Sequence, residues 1–190
     1  MPTAMDTKQA PPEPVGSAKR WTMGRVAAVT AVMVTVIFWT WILAGGPNQA
    51  NSDRIADTAF AQRTEARCTV FTRELAQLPN PTTIKTPVQR ADVLDRANDD
   101  LTAMVDDIAA DAPKTGHDAK PVADWLTDWR LLIQDRRDYA RRLRIDRKAR
   151  FYVSHSPAVQ AATATVDDTI STFATQANNL TACDTPGDVG

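Results

Sequence analysis

The stretch from Val26 to Ala44, VAAVTAVMVTVIFWTWILA, constrains this chain more than any other feature. It holds nineteen residues without a charge, a proline or a glycine. Its polar side chains are Thr30, Thr35 and Thr40, whose hydroxyls can bond back to the preceding helical turn. As a helix it rises about 28 Å, close to the roughly 30 Å hydrocarbon layer of a bilayer. A helix pairs every backbone amide internally, which hydrocarbon demands. The stretch reads as a single transmembrane helix over about 23–45.

Flanking charge gives that helix a direction. Lys8, Lys19, Arg20 and Arg25 precede it, whereas Arg54 is the nearest cation after it and lies between Asp53 and Asp57. Cationic flanks stay in the cytoplasm, so the N-terminus is expected inside and the C-terminal domain outside the cell membrane. Trp21 before the run and Trp39 and Trp41 near its end suit the membrane–water interface. A cleaved signal peptide has the same charge order. Its apolar region would be about twice the usual minimum, and Pro47 after Ala44-Gly45-Gly46 disfavours cleavage. An uncleaved anchor is the preferred reading, with the lipid bilayer as its first partner.

The anchor divides the chain of 190 residues. Residues 1–22, with Pro2, Pro11, Pro12 and Pro14, read as a disordered cytoplasmic tail. The chain beyond the anchor is long enough for one domain with its own core. Residues 46–67 begin with a breaker, Pro47 to Ser52, and continue as a thinly apolar juxtamembrane stalk helix capped by Ser52. Residues 68–184 form the main domain, and 185–190 a flexible tail.

Apolar spacing of three and four marks helices within that domain. Leu78-Pro79-Asn80-Pro81 stops the first. A second is expected from about Thr86 to Ala110, with Thr86 as cap, Pro87 at the first helical position, and Leu94, Ala97, Leu101, Met104, Val105 and Ile108 in one stripe. A third starts near Pro121 and ends around Arg147 to Arg150. Val122, Trp125, Leu126, Trp129, Leu132, Ile133, Tyr139, Ala140 and Leu143 recur along it. A fourth is expected from Pro157 to about Thr181, with Val159, Ala162, Val166, Ile170, Phe173, Ala177 and Leu180 in register. Gly116 is the lone glycine from 51 to 182, and hairpin dipeptides are missing. The fold class expected is therefore all-α: the transmembrane helix followed by an extracytoplasmic bundle of three or four helices.

Both cysteines, Cys68 and Cys183, fall on the expected outer side. An even count in an oxidising compartment favours a disulfide, which here would bracket almost the whole domain. Cys183 continues the stripe of the fourth helix to within one residue, so it should face the core.

The formal net charge of −1 gives no bulk argument for nucleic acid. Charge is instead sorted by helix. From Val88 to Ala112 there are seven acidic and two basic residues; from Lys120 to Arg150, ten basic and five acidic. These two helices could pair through complementary charge. The basic run at the end of the third helix is also a candidate face for an anionic ligand, with Arg136, Arg137, Arg141 and Arg144 as its foremost residues. Interleaved Asp135, Asp138 and Asp146 favour the plainer reading, a solvated helix end whose cations complement the helix dipole.

Other chemistry finds little support. A di-iron bundle needs several inward Glu residues and Glu-x-x-His pairs, and this chain has three Glu and no such pair. His117 and His155 lie in separate loops and read as solvated. No glycine-rich phosphate loop or Gly-x-Ser-x-Gly elbow occurs. The expectation is a domain without metal, cofactor or catalytic residues, neither an enzyme nor a binder of nucleic acid. Its partners would be other membrane or envelope proteins, with no oligomeric state implied. The competing expectation is a bundle that binds an anionic small molecule or envelope polymer.

Asp128-Trp129-Arg130, Asp135-Arg136-Arg137-Asp138-Tyr139-Ala140, Phe151 and Cys183-Asp184-Thr185-Pro186 together resemble a group of uncharacterised single-pass membrane proteins of high-GC Gram-positive bacteria. The resemblance runs from about Cys68 to Pro186. It implies an anchor and a helical outer domain, and no activity or site residues.

Overall fold

A computed structural model describes residues 23–43, 52–80, 83–159 and 163–187. The expected tail over 1–22, the junction 44–51 and the end 188–190 lie outside the described residues. Two compact units are present, one ending at Asn48 and the other starting at Gln49.

The first unit contains α1, Met23–Leu43. None of its described side chains is buried. Thr30, Thr35 and Thr40 each donate to the carbonyl four residues back, at 2.9, 2.9 and 2.6 Å. By length and composition α1 is able to cross a membrane, and a signal sequence near an N-terminus has the same features.

The second unit is helical, with no named strand among the described residues. Its helices are α2 (Thr58–Leu75), α3 (Pro87–Asp111), α4 (Ala119–Ile145) and α5 (Val166–Ser171). α5 widens into a π-helical turn over Thr172–Ala177, and a 3₁₀ turn over Thr181–Cys183 follows. Thr86 caps α3 by accepting from the Gln89 amide, with Pro87 at the first helical position, as the sequence suggested. Gly116 turns the chain between α3 and α4 at φ +83°, a conformation that favours glycine.

α3 and α4 share the most extensive interface, and α2 and α5 pack beside them. The main core joins Phe60 and Phe71 of α2, Leu101 and Ile108 of α3, Trp125 and Trp129 of α4, and Ile170 and Phe173. Trp125 stacks on Phe173 with centroids 5.2 Å apart and meets Trp129 edge-on at 6.2 Å. A smaller cluster of Leu94, Tyr139 and Leu143 continues this core toward the end of α4, with Phe151 against it. A disulfide links Cys68 to Cys183, with Cα atoms 5.0 Å apart. It fastens the 3₁₀ turn to α2.

Two sequence expectations are corrected. The proposed stalk helix over 46–67 does not start at Ser52. Residues 53–57 are non-helical, Asp57 rather than Ser52 caps α2, and Ile55, Phe60 and Thr64 are buried in the domain. The reason is that this segment's amides are taken by distant side chains. Asp118 accepts from Ala56 and Asp57 at 2.8–3.0 Å, and Asn178 accepts from Ile55 at 2.7 Å.

The fourth helix does not begin at Pro157. Around it Ser156 donates to Ala164 and Val166 to Ser154, each at 3.0 Å, forming an isolated antiparallel bridge between His155 and Thr165. Helix starts only at Val166 and ends before Asn178 and the left-handed Asn179, φ 56°. Residues 160–162 lie outside the described residues.

Candidate functional site

α4 and its two ends carry the polar side chains that the sequence singled out. Its polar residues fall into three groups: aspartates that hold loops, arginines that pair with α3, and an exposed basic tip.

Asp128 is buried on α4 and faces the 154–169 segment. It accepts from Ser156 Oγ at 2.8 Å and from Thr169 Oγ1 at 2.6 Å. Burial pushes its carboxyl above the ordinary range, against the opposing pull of those hydroxyl donors. Two turns on, Asp135 accepts from the amide and hydroxyl of Ser154 at 2.7 and 2.8 Å. At the other end, Asp118 combines the Ala56 and Asp57 amides with His117 Nδ1 at 2.8 Å. Burial opposes ionisation there too. The amide of Ala56, His117 and the amide of Asp57 together prevail and hold the carboxyl below its usual value. Asp118 and Asp135 hold backbone amides, and Asp128 holds two hydroxyls.

The second group runs along the α3–α4 face. Arg137 reaches Asp99 at 3.1 Å, and Arg144 reaches Asp92 and Asp95 at 2.6 and 2.8 Å. Arg130 approaches Asp106 at 3.9 Å. α2 repeats the pattern, with Arg63 on Asp111 at 2.7 Å and Arg67 on Asp107 and Asp111 at 2.5 and 3.0 Å. The complementary charge legible in the sequence is therefore realised as contact.

This changes the arginine face expected for an anionic ligand. Arg136 is 1% exposed, and its Nε donates to the buried Asn98 Oδ1 at 2.6 Å, so it belongs to the α3–α4 interior. Arg137 and Arg144 are committed to α3, and Arg141 to Asp138 on its own helix. The four residues do not share one open surface. The spacing already held the clue: Arg136 falls in step with Trp129, Leu132, Ile133, Ala140 and Leu143, all of them buried.

The third group remains open. α4 ends at Ile145, and the turn after it exposes Arg147, Lys148 and Arg150. Lys148 and Arg150, together with Arg142, Ile145 and Tyr152, line a cleft of about 380 Å³. The Arg142 guanidinium lies 5.5 Å from the Tyr152 ring centroid and donates to the Arg150 carbonyl at 3.1 Å; its Nε has no acceptor among the described residues. The sequence placed these cations in the basic run without separating them from the paired ones.

His117 lies just before α4, and His155 in the segment that Asp128 and Asp135 hold beside it. Among the described residues no group of three His, Cys, Asp or Glu side chains is placed to hold a metal ion. Comparison with known protein families, curated proteins and solved structures finds no match to this chain.

Proposed function

We propose that the chain is a membrane-anchored protein whose α1 stays in the bilayer and holds a helical bundle outside the cytoplasm, where it acts by binding other envelope components rather than by catalysis. One observation carries the reading: an apolar helix, with no buried side chain among the described residues, precedes a domain closed by a disulfide. The helix needs hydrocarbon around it, and the disulfide needs an oxidising compartment, so both point to the same topology. The cationic flank before α1 sets the N-terminus inside.

Binding rather than chemistry is supported by how the polar side chains are employed. Asp118, Asp128 and Asp135 hold backbone and hydroxyl groups, and Arg63, Arg67, Arg136, Arg137 and Arg144 are spent on α3.

The test is topology in intact cells. The expected result is a membrane-bound chain of uncleaved mass that resists alkaline extraction, with its C-terminal domain cut by protease added to protoplasts. A soluble chain shortened near Ala44, or a domain shielded while an outer control is cut, overturns the reading. Crosslinking in living cells then identifies the partner.

A further inference from the structure

The basic tip of α4 has a composition that the packing of the domain does not explain. Elsewhere Arg67, Arg137 and Arg144 end on α3 aspartates, and the buried Arg136 on Asn98. Arg147, Lys148 and Arg150 are exposed and pair with no carboxylate among the described residues. Asp146, the one acid beside them, has a carboxylate oxygen turned to the Lys148 amide at 2.8 Å. Two large apolar side chains stand among these cations: Ile145 is 89% exposed and Tyr152 66%. Ile145 is the last residue of a helix whose other apolar face is core, so burial in the domain does not account for it.

Unpaired cations around an exposed aliphatic and a tyrosine suit one environment in particular, the headgroup layer of an anionic bilayer. Guanidinium and ammonium groups meet phosphate there, aliphatic groups leave water, and tyrosine sits with its ring in the acyl boundary and its hydroxyl in the headgroups. A soluble anion would use the cations and gain nothing from Ile145. We propose that the tip formed by Arg142, Ile145, Arg147, Lys148, Arg150 and Tyr152 is a docking site for an anionic phospholipid surface. This rests on the anchored reading: tethering raises the effective concentration of the bilayer surface, and because the chain enters the domain at Asp118, about 40 Å from the tip along α4, the contact forms with α4 lying along that surface.

The experiment uses the full chain in nanodiscs of phosphatidylcholine, with or without phosphatidylglycerol, and reads amide hydrogen exchange over 145–153. The expected result is slower exchange in the anionic discs, reversed by high salt. The slowing disappears in the combined variant Arg147→Gln, Lys148→Gln, Arg150→Gln. Each cation contributes about fivefold to the surface equilibrium, so the three remove roughly 100-fold. Ile145→Ser weakens the effect without abolishing it. All four substitutions are at exposed positions, and unchanged near-ultraviolet dichroism with an intact disulfide confirms folding.

Equal exchange in both kinds of disc overturns the proposal. So does slowing by soluble poly(glycerol phosphate) in phosphatidylcholine discs when phosphatidylglycerol has no effect, which would assign the tip to a soluble envelope polymer. If the chain fails to enter discs, the anchored reading fails instead. The chain recovered in solution is then sedimented with the same two vesicle compositions, and equal binding to both overturns the tip proposal separately.

Discussion

Replacing Asp128 tests whether a buried carboxylate holds the 154–169 segment through its shape or through its charge. Asp128→Ala takes the acceptor from Ser156 Oγ and Thr169 Oγ1. Hydrogen bonds to a charged acceptor are worth about 1.5–3 kcal/mol each. Thr169 keeps a second acceptor, the Val166 carbonyl at 3.0 Å, so the loss is nearer the lower bound for it. The expected cost is about 3 kcal/mol. That is a large share of the stability of a typical domain.

Asp128→Asn should behave differently. The amide oxygen still accepts from Thr169, and the amide nitrogen can donate to Ser156 Oγ. The charge that burial penalises is gone. Stability at neutral pH should stay within about 1 kcal/mol of the parent or rise.

The pH dependence separates the two effects. Burial raises the folded pKa of Asp128 above its unfolded value, so the folded state binds the proton more tightly. The parent protein therefore loses stability from this group as pH rises from the ordinary carboxylate value through the raised one, and the loss is complete above it. The Asn variant has no such loss. Its stability relative to the parent is greatest at neutral pH and shrinks as Asp128 regains its proton in acid. Urea unfolding from pH 4 to 7, followed by near-ultraviolet dichroism of the packed Trp125 and Trp129, measures the difference directly. If Asp128→Asn costs as much as Asp128→Ala at pH 7, or if its difference from the parent does not vary with pH, the buried charge carries no penalty and the reasoning is refuted.

The Cys68→Ser, Cys183→Ser double variant should lose about 4 kcal/mol, the amount expected for a cross-link closing so long a loop, with the parent falling to the same value on reduction. Asp118→Ala should speed amide exchange at Ala56 and Asp57 and leave α4 protected. The Asp118 carboxyl is held below its usual value, so its contribution is present above the ordinary carboxylate range. The gap between parent and variant should close as pH falls through the lowered pKa; a gap that persists in strong acid contradicts the assignment. Arg144→Ala should cost no more than about 1 kcal/mol, because both its partners are substantially exposed. Arg136→Ala should cost about 1–3 kcal/mol by leaving the buried Asn98 carbonyl without its donor, and denaturation midpoints that rank the two arginines the other way would contradict the burial of Arg136.

The parts of this fold that could be read from sequence are those set by local periodicity. α3 and α4 obey it over many turns, and Thr86-Pro87 marks a start that the backbone uses. Cys183 was placed by its step in a stripe, and its bond to Cys68 agrees with that placement. The misread parts are those where a remote side chain competes for backbone groups. Nothing in Ser52-Asp53-Arg54-Ile55 tells that Asp118 and Asn178 will take the amides that a helix would have used. Nor does the apolar register of Val159 and Val166 reveal that Asp128 and Asp135 will capture Ser156 and Ser154 and hold the chain extended there. At the candidate site, the acidic stripe of α3 and the basic run of α4 were both visible. Periodicity gives the angle at which Arg137 or Arg144 leaves its helix but not the depth of the neighbour it meets. The division between neutralised arginines and the free tip therefore emerged only with the two helices side by side.

The bond between Cys68 and Cys183 has a consequence for what a protease can do to this protein. Every connection from α2 to the 3₁₀ turn lies within the loop that the bond closes, including the turn at Gly116 and the exposed tip at Arg147 to Arg150. A single cut in either place severs the polypeptide without releasing a fragment. The result is a two-chain molecule, with the distal piece still tied through sulfur to α2 and so to α1. Clipping at the tip, where a trypsin-like enzyme finds arginine and lysine together, would alter the docking surface and leave the rest in place. Such a form would migrate as one band until reduced and as two afterwards.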